Sequence, residues 1–378
     1  MRVFLKQNVY DAAIERIRWL MSEFKNVIVT CSGGKDSTVI VNLALAVAEQ
    51  MNRLPLKVMF IDKEFEWQSL IEYQRRLLND PRIEPLWFQA KIQVYNSHNN
   101  GHSVVCWDNE NRELMREYEY NSIRNNIDNA VDEKDFFKKA IRYFFGKEPA
   151  CYISGVRCEE SPSRNLGLTT YETYKGVTWG KVRSKEQYDF YPIYDWTFFD
   201  VWKYISEFNL DYTPIYDLMY QKGLPFNQMR LSSLLHSLSV IHIFYLHEVE
   251  FDTWNRMTQL IHGIHSTKQL REETVSPKEL PFMFESWSEY RDHLLEHLIQ
   301  NNEDRSAYRK RFEQFEPRYL PEAQHDLLRT EISTLLNHDL KFSKLASFEA
   351  THAKQLYNRG ARSGRSKDVG EKKYRIYR

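Results

Sequence analysis

The chain has 378 residues, enough for two or three ordinary domains or for one large α/β unit with a helical appendage. Hydrophobic residues make up 42% and charged residues 28% of the sequence, which supplies apolar surface for a core and excludes a wholly disordered chain. The 52 basic side chains balance the 52 acidic ones, so any nucleic acid or membrane partner must use a local patch.

The cysteine pattern argues against a cluster or a structural zinc site. None of the four cysteines forms a CxxC pair, so we expect reduced thiols and no iron-sulfur cluster. The first residues have too short an apolar run for a signal peptide, and no stretch approaches the length of a membrane span. The expectation is a cytoplasmic protein without a membrane partner.

The first predicted elements are a helix, a strand and a second helix. Apolar residues recur at helical spacing over residues 10–24, which predicts a helix that leads into the first strand. The β-branched run 27–30 is typical of a buried parallel strand. Residues 32–34, Ser-Gly-Gly, interrupt it, and the apolar pattern of residues 36–51 predicts the next helix.

The same alternation continues and predicts a parallel sheet. Residues 57–62 indicate a second strand that ends in a carboxylate, and residues 66–79 indicate its helix. Residues 91–150 are polar and are interpreted as an insertion over the sheet edge, with a helix near 136–145. Two later strands are predicted, over residues 151–156 and 190–194.

The character of the chain changes after Leu231. Long helical patterns with little strand signal predict a mostly α-helical C-terminal domain over residues 231–351, after a first domain over residues 1–230. Residues 352–378 are rich in Lys and Arg and are typical of a basic tail. Such a tail is either a solvated terminus or a contact for nucleic acid through phosphate attraction.

The strand-to-helix turn after residue 31 has the features of a phosphate site. Backbone N–H groups and the positive end of the helix dipole would point at one spot. Gly33 and Gly34 let an anion approach without a Cβ in the way. Lys35 adds a positive charge, and Ser32 and Ser37 add hydroxyl donors.

Two other interpretations of this turn remain open. A P-loop needs a glycine where Val29 stands and Ser or Thr where Asp36 stands, so the sequence disfavours a P-loop NTPase. The second interpretation is a tight turn that binds no phosphate, with a solvated Lys35. The order of strand, loop and helix favours the phosphate site.

Residues 32–37, SGGKDS, resemble the signature of the adenine nucleotide alpha hydrolase superfamily, also called PP-loop ATPases, in the branch of phosphoadenylylsulfate (PAPS) reductases. Residues 154–164 resemble the family's Gly-x-Arg…Ser-x-x-Arg segment, and residues 191–202 resemble its Pro-(Leu/Ile)-x-Asp-Trp…Asp-Val-Trp segment. Residues 212–217 are similar to its Asn-Pro-Leu-Tyr-Asp turn. The resemblance covers residues 26–230 and implies a Rossmann-like, HUP-type α/β domain that binds ATP or a related adenine nucleotide.

The resemblance also implies a set of site residues. Lys35, Arg157 and Arg164 are the expected catalytic residues, because guanidinium and ammonium groups neutralise phosphate charge. The alternative for the two arginines is a surface ion-pair set with Glu159 and Glu160. The expected nucleotide-binding residues are Ser32, Gly33, Gly34, Lys35, Asp36, Ser37, Asp62, Gly155, Arg157, Ser161 and Arg164.

Two carboxylates are candidates for magnesium. Asp62 follows the second predicted strand, where open α/β sheets bind ligands, and would hold a ribose hydroxyl or Mg²⁺ on the phosphates. Asp36 would orient Lys35 or contact the same ion, with helix capping as its alternative. His293 and His297 stand one helical turn apart but have no evident third ligand, so no metal is predicted there.

One departure from the family pattern shapes the functional hypothesis. The thiol reductases carry a nucleophilic C-terminal cysteine, and this chain has none beyond Cys158, which disfavours PAPS reduction. Cys158 itself is interpreted as a small buried filler, with nucleophile or sulfur carrier as the alternative. The remaining chemistry is attack on the α-phosphate of ATP with release of pyrophosphate, serving sulfur chemistry or nucleic-acid modification.

Rival hypotheses use the same turn. A regulatory protein would keep the nucleotide site as a sensor, while an RNA-modifying ligase would adenylate a base. The sequence is also similar to PAPS-reductase-like proteins of the immunoglobulin-binding regulator A type, which implies a ParB-like protein partner.

Overall fold

The computed structural model describes residues 6–96, 103–160, 164, 168, 173–226, 229–236, 240–261, 276–315, 319 and 321–352. The chain divides into two compact units. The first comprises residues 1–94 and 104–234, and the second comprises residues 95–103 and 235–378. The domain boundary predicted at residue 230 falls just before this division.

The first unit is built on a six-stranded sheet with the order β3-β2-β1-β6-β8-β7. Its neighbouring strands run parallel, apart from the antiparallel pair β7 and β8. A second sheet pairs β4 with β5. The strands are β1 Asn26–Thr30, β2 Leu56–Ile61, β3 Ile83–Phe88, β4 Ile92–Tyr95, β5 Ser103–Cys106, β6 Ala150–Ile153, β7 Gly180–Val182 and β8 Gln187–Phe190.

Helices connect the parallel strands, as the predicted alternation requires. They are α1 Val9–Glu23, α2 Lys35–Gln50, α3 Gln68–Leu78, α4 Glu133–Phe145, α5 Phe198–Glu207 and α6 Ile215–Gln221. Short 3₁₀ turns lie at Cys158–Glu160 and Tyr174–Gly176. The predicted Rossmann-like α/β class is confirmed by this sheet and its flanking helices.

The central strand β1 fixes the position of the site. Its apolar residues Val27, Ile28 and Val29 are buried because β1 has strand neighbours on both sides. The chain runs from β1 to β2 on one side and later returns to β6 on the other, so the strand order reverses at β1. Open α/β sheets bind ligands outside the carboxyl ends of strands at such a switch point.

Two details of the sheet differ from the sequence predictions. Strand β3 was not predicted; it contains Pro85, which a sheet tolerates because β3 is an edge strand. The strand expected over residues 190–194 lies earlier, at Gln187–Phe190. After it, Tyr194 donates its backbone N–H to the Tyr191 carbonyl at 3.0 Å, so Tyr191–Tyr194 form a turn around Pro192.

The segment interpreted as an insertion combines irregular chain with a helix. The helix predicted near residues 136–145 is present as α4, which begins with Asp132 as its cap; the Asp132 carboxylate accepts the N–H of Asp135. Strands β4 and β5 lie within the same segment. Its side chains reach the loop after β2, where they matter for the site described below.

The second unit is helical in its described part, which confirms the predicted α-helical C-terminal region. Its helices are α7 Val240–Val249, α8 Phe251–Leu260, α9 Trp287–His297, α10 Asn302–Phe315, α11 Pro321–Leu336 and α12 Ser343–Thr351. Phe312, Leu327 and Ile332 belong to the buried core of this unit. Nearly all of the predicted basic tail, residues 353–378, lies outside the described residues. No helix in the described part is long and apolar enough to cross a bilayer.

Candidate functional site

The turn between β1 and α2 depends on its two glycines. Gly33 has φ +79°, in the left-handed region, and a Cβ there would lie 2.9 Å from Leu70 Cγ. Gly34 is the N-cap of α2 and provides no side-chain cap. The Ser37 hydroxyl donates back to the Gly34 carbonyl at 2.8 Å and fixes the first helical turn. The geometry is the one expected for an anion site at a helix N-terminus.

A tyrosine hydroxyl lies directly at this turn. The backbone N–H of Lys35 donates to the Tyr216 hydroxyl at 3.0 Å, and a Cβ on Gly34 would lie 3.2 Å from the same oxygen. Tyr216 belongs to the segment that resembles the family's Asn-Pro-Leu-Tyr-Asp turn, but no sequence pattern predicts its position at this turn. Helix α6 therefore supplies the acceptor for the first amide of α2.

Lys35 is buried rather than solvated, with only 2% of its surface exposed. Its Nζ donates to the Met229 carbonyl at 3.2 Å and lies 3.4 Å from an Asp36 carboxylate oxygen. The rings of Phe198 and Tyr216 face the same ammonium, with centroids 5.7 and 5.1 Å from Nζ. Burial lowers the pKa of Lys35, while Asp36 opposes the shift. The alternative interpretation, a solvated lysine, is therefore wrong.

Arg157 joins the loop after β6 to the start of α2. Its Nε donates to Asp36 Oδ1 at 2.5 Å, and its NH1 donates to the Trp196 carbonyl at 3.2 Å and to Glu159 at 3.1 Å. Only 3% of Arg157 is exposed. A Cβ at Gly155 would lie 2.5 Å from the Asp36 carbonyl oxygen, so the close approach of the two backbones requires glycine there.

Two further arginines belong to the surroundings of this pair. Arg164 forms an ion pair with Glu160, as the surface-pair alternative expected. Arg230 was not predicted. Burial lowers its pKa, Arg157 lowers it further and Asp36 opposes the shift, so Arg230 lies within electrostatic reach of the same carboxylate. Among the described residues, Arg230 has no ion-pair partner.

Asp62 lies after β2 as predicted, but its carboxylate is already occupied. It is fully buried and accepts hydrogen bonds from Arg116 NH2, Trp87 Nε1, Gln89 Nε2 and the Glu64 backbone N–H. A ribose hydroxyl or Mg²⁺ at Asp62 therefore requires one of these donors to leave. The nearby insertion residue Arg116, which the sequence did not single out, is the charged donor among them.

The other predicted residues carry less of the site. Ser161 lies outside the described residues. Ser32 Oγ donates to Ser37 Oγ at 3.3 Å, which places both hydroxyls at the turn. Cys158 is partly exposed at a 3₁₀ turn rather than fully buried. The rings of His293 and His297 are 4.5 Å apart, and the described part of the chain contains no group of three possible metal ligands.

Sequence comparisons identify relatives over most of the first unit. The family model described as the phosphoadenosine phosphosulfate reductase domain matches residues 26–222. The uncharacterized protein YbdN of Escherichia coli strain K12 is 27% identical over 286 residues, which cover 70% of this chain and 68% of that protein. Sulfate adenylyltransferase subunit 2 of Pseudoalteromonas translucida is 21% identical over 216 residues, which cover 56% of this chain and 67% of that protein.

Comparison with solved structures gives more distant similarities. The PAPS reductase of Candida auris, solved as a phosphate complex, has a TM-score of 0.34 and 16% identity over 58% of this chain and 94% of that chain. The FMN adenylyltransferase of Candida glabrata, bound to FMN and an ATP analogue, has a TM-score of 0.34 and 14% identity over 57% of this chain and 64% of that chain. The fold assignment therefore depends on the sheet order and the family match.

Proposed function

The chain belongs to the phosphoadenosine phosphosulfate reductase domain family, and on that premise we propose that it binds ATP at residues 32–37 and cleaves it at the α-phosphate. The product would be pyrophosphate and an adenylylated acceptor, or AMP where water is the acceptor. The observation that carries the proposal is the buried ammonium of Lys35 beside a glycine-built helix N-terminus, whose N-cap residue Gly34 has no side chain to cap it. Lys35 and Arg157 share the Asp36 carboxylate, so a further anion at the turn would lower the cost of burying these two cations.

The binding step follows from the donors at the turn. A polyphosphate would replace the Tyr216 hydroxyl as the acceptor of the Lys35 N–H. It would also replace the Met229 carbonyl as the acceptor of the Lys35 ammonium. Arg157 is held by Asp36 and Glu159, so it enters the site as a positioned rather than a mobile charge. These groups stabilise charge that builds up on the phosphates in the transition state.

The transfer step has a simple balance of bonds. An acceptor oxygen forms a bond to the α-phosphorus, the bond from that phosphorus to the bridging oxygen breaks, and pyrophosphate leaves with the electron pair. The acceptor's proton passes to solvent. We assign charge neutralisation to Lys35 and Arg157. We assign to Arg164 and Arg230 the support of the anionic end of the bound substrate.

Magnesium remains part of the proposal through the phosphates of the nucleotide. Asp36 is the better carboxylate candidate, because 14% of its side chain is exposed while Asp62 has its acceptors filled. Asp36 already pairs with Lys35 and Arg157, so metal binding would draw it away from these cations. When bound, Mg²⁺ would supply Lewis-acid activation of the phosphoryl oxygens.

The test is product identification with ATP labelled at the α-phosphate, with Mg²⁺ and candidate acceptors of different classes: sulfate, an oligonucleotide and a protein. Release of pyrophosphate with label on an acceptor or in AMP supports the proposal. Lys35→Ala should abolish the reaction, while Lys57→Ala, which removes a lysine paired with Glu84 on β2 and β3, should not. Binding of ATP without any labelled product would reject turnover.

A second candidate function is a nucleotide sensor that binds without turnover. The observation that favours it is the saturation of Asp62 by Arg116, Trp87 and Gln89, which leaves that carboxylate without a free acceptor for a metal. A sensor would show a measurable dissociation constant for ATP, no pyrophosphate release, and a conformational response in the helical unit. The labelled-ATP experiment separates the two functions.

Partners and location complete the proposal. We infer from the resemblance a cytoplasmic protein that works with a ParB-like partner, and contact with nucleic acid through the basic residues 352–378. Removal of residues 353–378 should then weaken binding of a labelled oligonucleotide in a polarisation assay at low salt. Equal binding by the full and the shortened chain would remove the tail from the proposal.

A further inference from the structure

The helical unit contains a cavity of about 320 Å³. It lies where the end of α9, helix α10 and the segment after α11 meet, and part of its wall is aliphatic. The aliphatic residues are Leu298, Ile299 and Leu340. Polar residues line the rest: Gln300, Asn301, Asp304, Tyr308 and His338. The matched family model ends at residue 222, before this region.

Three of the polar side chains on the cavity wall, those of Asp304, Tyr308 and His338, have no hydrogen-bond partner in the described part of the chain. Tyr308 is 1% exposed, and its buried hydroxyl has no hydrogen-bond partner. Among the described residues, the Asp304 carboxylate accepts no hydrogen bond and has no ion-pair partner, and the His338 ring has no hydrogen bond. An unpaired buried polar group costs free energy, so the Tyr308 hydroxyl, with the partly exposed Asp304 and His338 side chains on the same wall, indicates that a bound molecule completes it.

The charge of the cavity is set by Asp304. The basic residues next to Asp304 and Leu340 in the sequence have other contacts: Arg305 donates to the Ile299 carbonyl at 2.7 Å, and Lys341 lies over the Tyr95 ring at 4.0 Å. Burial lowers the pKa of His338, and Asp304 opposes the shift, so the imidazole does not supply the missing positive charge. The cavity therefore has one uncompensated carboxylate.

The volume excludes a single bridging water as the occupant. One water needs roughly 15 Å³ of such space, whereas small-molecule sites in proteins begin near 300 Å³. A metal ion fits poorly, because the described part of the chain has no group of three His, Cys, Asp or Glu ligands. An anion would meet the Asp304 carboxylate.

We propose that this cavity binds a small primary ammonium compound with a short aliphatic body. The three N–H donors of an ammonium can bond to three groups on the polar wall: the Asp304 carboxylate, the Tyr308 hydroxyl oxygen and a ring nitrogen of His338. The aliphatic body would pack on Leu298, Ile299 and Leu340. The site is separate from the residues of the proposed ATP reaction, so either proposal can fail alone.

The test uses the full chain and n-butylamine at neutral pH, where the amine is protonated, in a saturation-transfer NMR titration at constant ionic strength. Wild type should bind n-butylammonium, while n-butanol and butyrate, of similar shape but different charge, should bind at least about tenfold more weakly. Asp304→Asn should weaken binding about tenfold or more, and Tyr308→Phe about fivefold.

The matched control is Glu303→Gln, which removes the neighbouring, exposed carboxylate on the same helix turn. It should bind n-butylammonium like wild type. Tyr308→Phe guards against misfolding, because its hydroxyl has no partner whose loss would disturb the fold. The proposal is overturned if wild type does not bind the amine, if butanol binds equally well, or if Asp304→Asn and Tyr308→Phe, each shown to be folded by circular dichroism, both bind like wild type.

Discussion

The hydroxyl of Tyr216 accepts a 3.0 Å hydrogen bond from the backbone N–H of Lys35, the first residue of the helix after the glycine turn. This N–H is one of the free donors that make a helix N-terminus attractive to anions. Burial raises the pKa of Tyr216, so the hydroxyl stays neutral and acts as an acceptor without charge. The turn thus uses a phenol where a phosphate oxygen is proposed to bind.

Tyr216→Phe should therefore increase the affinity for ATP. The substitution removes the competing acceptor and leaves the Lys35 N–H free for phosphate, which we expect to be worth ~1 kcal/mol, or about fivefold in the dissociation constant. Isothermal titration with ATP measures it. Tyr73→Phe is the control, since the Tyr73 hydroxyl bonds to the Thr38 hydroxyl on α2 at 2.7 Å and not to the Lys35 N–H. Weaker binding by Tyr216→Phe would show that the hydroxyl supports the ligand instead.

Lys35→Met should separate stability from binding. Burial lowers the pKa of Lys35 below its ordinary value of 10.5, so the folded protein binds this proton less tightly than the unfolded chain does. The contribution of Lys35 to the free energy of unfolding therefore rises with pH from the lowered pKa up to 10.5. At neutral pH the charged lysine is unfavourable for stability. Methionine removes that cost and retains much of the volume.

The expected result is a free energy of unfolding at pH 7 equal to or above that of wild type, together with at least about tenfold weaker ATP binding. Urea unfolding and ATP titration measure the two effects. Lys57→Met is the matched control, because Lys57 is more exposed and pairs with Glu84 away from the turn. Unchanged ATP affinity in Lys35→Met would exclude Lys35 as a phosphate ligand.

The sequence predicted the turn but not the side chains that cover it. Ser32-Gly33-Gly34 interrupts a β-branched run. Such a turn can be predicted from the sequence because glycine conformation is a local property. The burial of Lys35 could not be predicted, since lysine is normally solvated. Here its ammonium donates a hydrogen bond to the carbonyl of Met229, 194 residues away. Tyr216 is 181 residues from Lys35, so its role depends on tertiary packing.

The carboxylates illustrate the same limit. Asp62 was predicted from its place after a strand, and the structure puts it there. Its partner Arg116 is 54 residues away, in the part of the polar insertion where no helix or strand was predicted. A pattern can place a residue at the end of a strand, but it cannot tell whether another segment has already filled its acceptors.

Gly155→Ala tests whether the loop after β6 must touch the start of α2. The added Cβ would lie 2.5 Å from the Asp36 carbonyl oxygen and 2.7 Å from its carbon, so backbone must move and stability should fall by about 1–3 kcal/mol. Because Asp36 carries the Arg157 pair, ATP affinity should fall as well. Urea unfolding and ATP titration measure both.

Gly146→Ala provides the comparison for that substitution. Gly146 has φ +62° but open space around a Cβ, so alanine should lower stability through backbone strain by about 1 kcal/mol without affecting ATP binding. A loss of ATP affinity of the same size in both variants would mean that Gly155 acts through global stability and not through the contact with Asp36.

Glu66 should make the stability of the first unit depend on pH. Burial raises its pKa to about 8, and the attraction of Lys63 only partly offsets this. The folded state therefore holds this proton between the ordinary carboxyl pKa of 4.5 and about 8, where the unfolded chain has lost it. The contribution of Glu66 to stability is full below pH 4.5 and is lost as pH rises through about 8.

Glu66→Gln keeps the shape and cannot ionise, so the difference in unfolding free energy between wild type and this variant should change by about 2 kcal/mol between pH 6 and 8, with wild type losing stability relative to the variant. Urea midpoints at several pH values measure it. Glu72→Gln, at an exposed carboxylate on α3, should track wild type across the same range. Parallel curves for wild type and Glu66→Gln would show that Glu66 is ionised in the folded protein at pH 6, with Lys63 and Arg116 holding its charge more strongly than burial opposes it.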